Sequence, residues 1–289
     1  MNETRFDRNV RFFGNTGQER LRTAKVAIVG IGGLGTHVVQ QLTHLGVGHL
    51  VAIDDEDLDE SNLNRYVGTR HNDVIRRTHK VDIAERLVKE IDPSIDVTKI
   101  HNSLRSKQAF TALPGVDCVF GCLDNDGARL ILTELCSAHT LPLFDLASEI
   151  IPDQPPLYGG RVAACVDGTA CLACMDLIDF DEARTDLDSP QSRQDREDLY
   201  GVDREHLGHA GPSVIAINGT VASLAVTEFF LWLTGIRHPK RLLEYRGNLG
   251  IVTKNTDPPN EDCHYCKAIR GKPQAANIER YLPVPKQPR

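Results

Sequence analysis

Two groups of residues in this sequence have types and spacings that can do chemistry. The first surrounds Gly30, Gly32, Gly33 and Gly35, in Val26-Ala27-Ile28-Val29-Gly30-Ile31-Gly32-Gly33-Leu34-Gly35. Glycines 30, 32 and 35 fit G-x-G-x-x-G, a tight turn whose backbone N–H groups approach a phosphate at a helix N-terminus. Asp54 ends the next apolar run, about 20 residues further on, where an acid accepts hydrogen bonds from a ribose. This much specifies an adenine nucleotide and leaves NAD-dependent hydride transfer open. The second group is Cys171-x-x-Cys174 with Cys263-x-x-Cys266. Together these pairs offer four thiolates to one tetrahedral Zn²⁺, with no position left for reaction, so the expected role is structural. Two unrelated pairs, or a redox Cys-x-x-Cys, is the other reading. It lacks a thioredoxin-like context: the first pair opens a polar loop and the second follows Pro258-Pro259.

The elements that must hold these residues follow from apolar periodicity. Residues 26–29 and 50–53 read as buried strands. Between them lies a helix with Leu34, Val38, Val39, Leu42 and Leu45 on one face, stopped at Gly46-Val47-Gly48. A helix from Lys80 carries Ile83, Leu87 and Ile91 and stops at Asp92-Pro93. Strands follow at 97–100, 116–122, 141–147 and 162–166, with a helix at 127–139. Residues 214–233 form a long apolar helix. Asn218, Thr220, Ser223, Thr227 and Glu228 within it favour burial in a core over a membrane span. Residues 242–245 and 250–253 read as antiparallel strands. The expected fold is α/β: a Rossmann-like, mostly parallel sheet flanked by helices, with a C-terminal antiparallel extension and a structural zinc site. Residues 1–22 form a helical lead-in, 23–266 the main domain, and 267–289 a basic, proline-rich tail that is either free or docks a partner.

The chain has 289 residues and a formal net charge of −7, which disfavours nucleic acid as the main partner. Its eight cysteines, with no secretion-type leader at the N-terminus, point to a reducing, cytoplasmic setting. Cys118, Cys122, Cys136 and Cys165 lie in apolar runs and read as small core residues.

A dehydrogenase has no use for the polar run after the ribose acid, Asp54-Asp55-Glu56-Asp57-Leu58-Asp59-Glu60-Ser61-Asn62-Leu63-Asn64-Arg65. From the glycine loop through Ser61-Asn62-Leu63-Asn64-Arg65, the chain resembles the ThiF/MoeB/HesA and ubiquitin-activating (E1-like) superfamily, and the resemblance extends over about residues 5–270. It implies adenylation, with MgATP, of the C-terminal carboxylate of a ubiquitin-like or sulfur-carrier protein or of a peptide, with release of pyrophosphate. The acyl group then passes to a thiol, on an E2-like or other partner. Such a reaction needs fixed cations and donors round the phosphates rather than a nucleophile of the enzyme. By resemblance, Asn62, Arg65 and Lys80 contact the phosphates, Asp54 holds the ribose and Asp124 binds Mg²⁺. Position alone would make Lys80 a solvated lysine at a helix start, and Asp124 a helix N-cap.

The resemblance also implies a homodimer in which Arg8 enters the neighbouring subunit's site. The family shares the four-cysteine zinc. Many members carry one more cysteine, a thioester acceptor, in a loop that here spans about residues 179–211. That loop has none, and Ala210 falls where some members have it. Either the chain makes no thioester on itself, or residue 210 is a Cys→Ala substitution. A non-catalytic scaffold subunit is the alternative within the superfamily, and the intact Arg65, Lys80 and Asp124 argue against it. An NAD-dependent oxidoreductase would leave Asn62, Arg65, Lys80 and Asp124 without a task.

Overall fold

The computed structural model describes residues 5–188 and 211–282. Five strands run parallel: β1 (Lys25–Val29), β2 (His49–Ile53), β3 (Asp96–Ile100), β4 (Cys118–Gly121) and β5 (Leu143–Ile151). Three more continue the sheet antiparallel: β6 (Leu157–Cys165), β7 (Leu242–Arg246) and β8 (Ile251–Lys254). The order is β3-β2-β1-β4-β5-β6-β7-β8, so the sequence order reverses between β1 and β4. In open α/β sheets the ligand crevice lies outside the carboxyl ends of the strands at such a reversal. The expected mostly parallel sheet with an antiparallel extension is what the chain forms.

Alternation along the strands builds a core on each face, because successive side chains point to opposite sides. Val26, Ile28, Leu50, Ala52 and Phe120 face one side, while Ala27, Val29, Val51, Ile53 and Val119 face the other. The first face is covered by α1 (Asp7–Thr23, kinked at Gly14), α2 (Gly33–Leu45) and α4 (Lys80–Ile91). The long helix α8 (Ile215–Leu233) joins them. It is long and apolar enough to cross a membrane, yet it packs Val221, Ala225 and Phe229 into this core. Phe229 meets Phe120 edge-on at 5.3 Å, a favoured aromatic geometry. Short α3 (His71–Ile75) lies before α4. The second face takes α5 (Lys107–Ala112), α6 (Asp126–His139) and α7 (Phe180–Leu187).

Within the stretch read as a basic tail, residues 267–282 pack on the body of the domain. Tyr281 is buried in the second core with Ile278 and Leu282 beside it. Its hydroxyl donates to Glu134 Oε2 on α6 at 2.7 Å, and Arg105 Nε donates to its carbonyl at 2.8 Å. Glu134 is itself buried and also receives Arg280. Residues 283–289 lie outside the described residues. Tyr281→Phe leaves the buried Glu134 carboxylate short of a donor and is expected to cost about 1–3 kcal/mol, read as a lower urea midpoint at unchanged slope.

Candidate active site

Four glycines meet different demands at the end of β1. Gly30 has φ +88°, a left-handed backbone that favours glycine, and a Cβ there would lie 2.5 Å from Cys122 O. At Gly35 a Cβ would lie 2.0 Å from Gly30 O, so only glycine lets α2 sit this close to the strand end. A Cβ at Gly33 would lie 2.4 Å from Asn218 Nδ2 and 3.3 Å from Arg65 Cγ. Gly32, by contrast, faces open space and starts α2 with no side-chain cap. The first helical N–H groups are therefore left for an anion, which fits a phosphate cradle.

Asp54 follows β2 and ties this loop down. Its Oδ2 accepts the Ile31 N–H at 2.7 Å and its Oδ1 the Glu56 N–H at 2.9 Å. Burial pushes its pKa up, against the opposing Lys80 charge and the two amides. Each carboxylate oxygen keeps a further acceptor site, so the ribose role is compatible with the tether.

Lys80, the first residue of α4, is only 5% exposed rather than solvated. Its Nζ pairs with the outward-facing Glu56, while its N–H donates to Glu56 O at 3.1 Å. Arg65 lies against Gly33, with Nη1 donating to Ser61 O at 2.6 Å and to Asn64 Oδ1 at 3.1 Å. Asn62 closes its own turn: its Oδ1 accepts the Asp59 N–H at 3.2 Å, leaving the amide nitrogen to donate elsewhere. Asp124 is exposed beyond β4. The helix cap considered for it falls to Asn125, whose Oδ1 accepts the Ala128 N–H at 2.8 Å. Asp124's carboxylate is thus not used as that cap, and among the described residues it accepts a hydrogen bond from Asn125 Nδ2 at 3.2 Å.

Arg8 is not brought to this chain's crevice. Phe6, two residues earlier, lies against Gly46 at the far end of α2. The 13 residues of α2 span about 20 Å.

Sequence reasoning missed a buried polar layer beneath the site. Asp145 on β5 is fully buried, with Arg161 Nη1 at 2.7 Å and Arg129 Nε at 3.7 Å. Burial raises the Asp145 pKa and both guanidiniums oppose it. Arg129 also donates to Leu123 O at 2.7 Å, holding the backbone beside Asp124. The signal available was one aspartate inside the otherwise apolar run 141–147. Asn218 is the second omission. Its Oδ1 accepts from Ser148 Oγ at 2.8 Å, and its Nδ2 donates to Ser213 Oγ at 3.0 Å. Asn64 Nδ2 donates to Ser213 O at 3.3 Å, tying the chain before α8 to the Arg65 turn. A polar residue in an apolar helix was the signal there.

The four cysteines converge. Cys171 Sγ lies 3.5 Å from Cys263 Sγ, and Cys174 Sγ lies 3.8 Å from Cys266 Sγ. Tetrahedral zinc with Zn–S bonds of about 2.3 Å spaces its sulfurs by roughly 3.8 Å, so the donor set fits the ion. Hydrogen bonding among the sulfurs pushes the Cys171 thiol up and holds Cys174 down. Four crowded thiols cannot all lose their protons without a cation among them. Metal analysis is expected to give about one zinc per chain, lost in Cys263→Ser; a fully folded, metal-free protein would refute the site.

A family model described as the ThiF family matches residues 6–267. The SAMP-activating enzyme E1 of Haloferax volcanii is 32% identical over 150 residues, 49% of this chain and 55% of that protein. The molybdopterin-synthase adenylyltransferase of Escherichia coli is 31% identical over 183 residues, 63% of this chain and 71% of that protein. The chain thus spans little more than half the length of the first. A crystal structure of Escherichia coli MccB with ATP superposes with a TM-score of 0.69, covering 92% of this chain and 75% of that one. At 18% identity, that likeness shows the fold. Matched along residues 6–267 and aligned over most of a full-length relative, the chain belongs to the ThiF family.

Proposed function

We propose that this chain activates a C-terminal carboxylate by adenylyl transfer from ATP. What supports the reading is the open helix start at Gly32 with Arg65 against Gly33, beside a buried Lys80 whose charge acts on Asp54, and an exposed Asp124 just beyond β4 at the point where the strand order reverses. The names of the aligned relatives, an activating enzyme and adenylyltransferases, support it.

The substrate's carboxylate oxygen attacks the α-phosphorus of ATP. One P–O bond forms, the bond to the β-phosphate oxygen breaks, and pyrophosphate leaves with the electron pair. Attacking and attacked groups are both anionic, so the work of the site is to hold fixed positive charge and donors where the charge concentrates. The α2 N-terminus, Arg65, Lys80 and the Asn62 amide supply them. Asp54 orients the ribose. Asp124 would hold Mg²⁺, which supplies Lewis-acid neutralisation of the phosphates when bound.

The carboxylate belongs to a ubiquitin-like or sulfur-carrier protein or to a peptide; one relative, of Escherichia coli, is named as the adenylyltransferase of the sulfur carrier protein ThiS, which supports the sulfur-carrier reading. The activated acyl group passes to a thiol of a partner, E2-like or otherwise. Burial pushes the Cys136 thiol up to about 12 and raises Cys118, Cys122 and Cys165, so these are poor acceptors. Ala210, with most of the 179–211 loop, lies outside the described residues. The proposed working unit is a homodimer whose composite sites take Arg8 from the neighbouring subunit, a reading supported by the neighbouring Phe6 sitting at the end of α2 away from its own crevice; the proposed setting is reducing and cytoplasmic.

ATP–pyrophosphate exchange against candidate C-termini tests the activity. Exchange that requires a matching C-terminus supports it, while tight NAD binding without exchange would overturn it. Asp124→Ala is expected to cut Mg²⁺-dependent exchange by about 10²–10³ with the fold intact; near-normal exchange would exclude the metal role. Mixing Arg8→Ala chains with Arg65→Ala chains is expected to restore part of the activity that each lacks alone. No recovery would mean self-contained sites.

A further inference from the structure

Outside the glycine loop and the four cysteines, the described residues hold one more cluster of metal-ligating side chains, at the carboxyl ends of the strands. Asp57 follows β2, His79 precedes α4 and His101 follows β3. One donor atom from each lies within 4.8 Å of the others. We propose that Asp57, His79 and His101 form a second divalent-cation site, separate from the cysteines and suited to a borderline metal such as Zn²⁺ or Co²⁺.

The backbone fixes two of the three ligands. Asp57 and His79 form an isolated antiparallel bridge, flanked by Leu58 N–H donating to Thr78 O at 2.9 Å and Lys80 N–H donating to Glu56 O at 3.1 Å. His79 Nδ1 then lies 2.6 Å from Asp57 Oδ1. One hydrogen bond would satisfy that pair, but a second imidazole stands beside the same oxygen, its Nε2 held at 3.1 Å from Asp55 O. His101 Nε2 is 3.8 Å from Asp57 Oδ1, and its ring stacks on His79 with centroids 3.6 Å apart at 26°. Protonating both rings would stack two cations face to face. A single divalent ion instead satisfies both nitrogen lone pairs and the carboxylate together. Bonds of about 2.0–2.1 Å in a tetrahedral site space donors by roughly 3.4 Å. The 2.6 and 3.8 Å separations bracket that value, so small rotations of half-buried side chains close the set.

Loading has a proton balance. To ligate through Nδ1, neutral His79 moves the proton it shares with Asp57 to Nε2, and His101 releases its 3.1 Å contact with Asp55 O as it takes the tautomer with Nε2 free. Arg77 is the competing cation, 3.9 Å from Asp57 Oδ2, but its side chain is largely exposed and sits on the other carboxylate oxygen. Two imidazoles and one carboxylate favour Zn²⁺ or Co²⁺ over Mg²⁺, which separates this site from any nucleotide-bound magnesium at Asp124. Three protein ligands leave a position for water.

The test uses full-length protein with its cysteine site filled with zinc, free of nucleotide, titrated with Co²⁺. One further cobalt per chain is expected, with weak visible d–d bands and no intense thiolate-to-cobalt absorption. His79→Ala and His101→Ala should each weaken it at least about tenfold, whereas Asp124→Asn should leave it unchanged. The proposal fails if the zinc-loaded protein takes no further cobalt up to about 1 mM. It also fails if cobalt appears only as thiolate-bound exchange, if it is lost in Asp124→Asn, or if it persists in the zinc-retaining His79→Ala/His101→Ala double variant.

Discussion

The closeness of α2 to the end of β1 is the constraint on which the crevice depends. Gly35 sits where any side chain would strike the Gly30 carbonyl, and Gly30 where one would strike Cys122 O. That contact aims the helix start at the gap where the strand order reverses. Everything else is arranged about it. Asp54 reaches from β2 to hold the Ile31 amide, Arg65 lies across Gly33, and Asn218 fills the space that a side chain at position 33 would take. A methyl group at Gly35 would therefore disturb contacts from three separate parts of the chain, since protein interiors leave little slack for displacement.

Much of this was legible because central strands and their covering helices are apolar on a fixed period. The observed bounds of β1, β2, β3, α4 and α8 differ from the sequence reading by a residue or so. The β5–β6 hairpin is longer than its apolar runs. Beyond Ala147 it leaves the core, and exposed Ile151, Leu157 and Tyr158 give no clean alternation there. Short α3, α5 and α7 hold too few turns to show a period. The docking of residues 267–282 could not be read at all. It rests on Tyr281 finding Glu134, 147 positions away, amid a basic, proline-rich composition that suggests a solvated tail.

The site residues divide along the same line. Types and spacing singled out the glycines, Asp54 and the cysteine pairs, while Arg65, Lys80 and Asp124 stood out only through the family resemblance. What spacing cannot carry is how each polar group spends its hydrogen bonds. Asn62 spends its oxygen on its own turn, Asn125 rather than Asp124 caps α6, and Asp145 is held between two arginines under the crevice. A buried carboxylate with one guanidinium on each side costs desolvation, so its contribution is more to the position of Arg129 and the Leu123 backbone than to stability.

Lys80 and Glu56 have a consequence for how the crevice handles charge. The ammonium is buried, while its carboxylate partner reaches into solvent. If Lys80 takes a phosphate as proposed, Glu56 serves as a placeholder anion, able to swing into water when that phosphate arrives. An incoming phosphate exchanges one counter-ion for another instead of meeting a bare cation, which makes ground-state binding a small difference between two similar contacts. The full strength of the ammonium is realised only against a group that concentrates more negative charge than a carboxylate does. A lysine held in this way favours a charged transition state over tight retention of whatever enters or leaves the site.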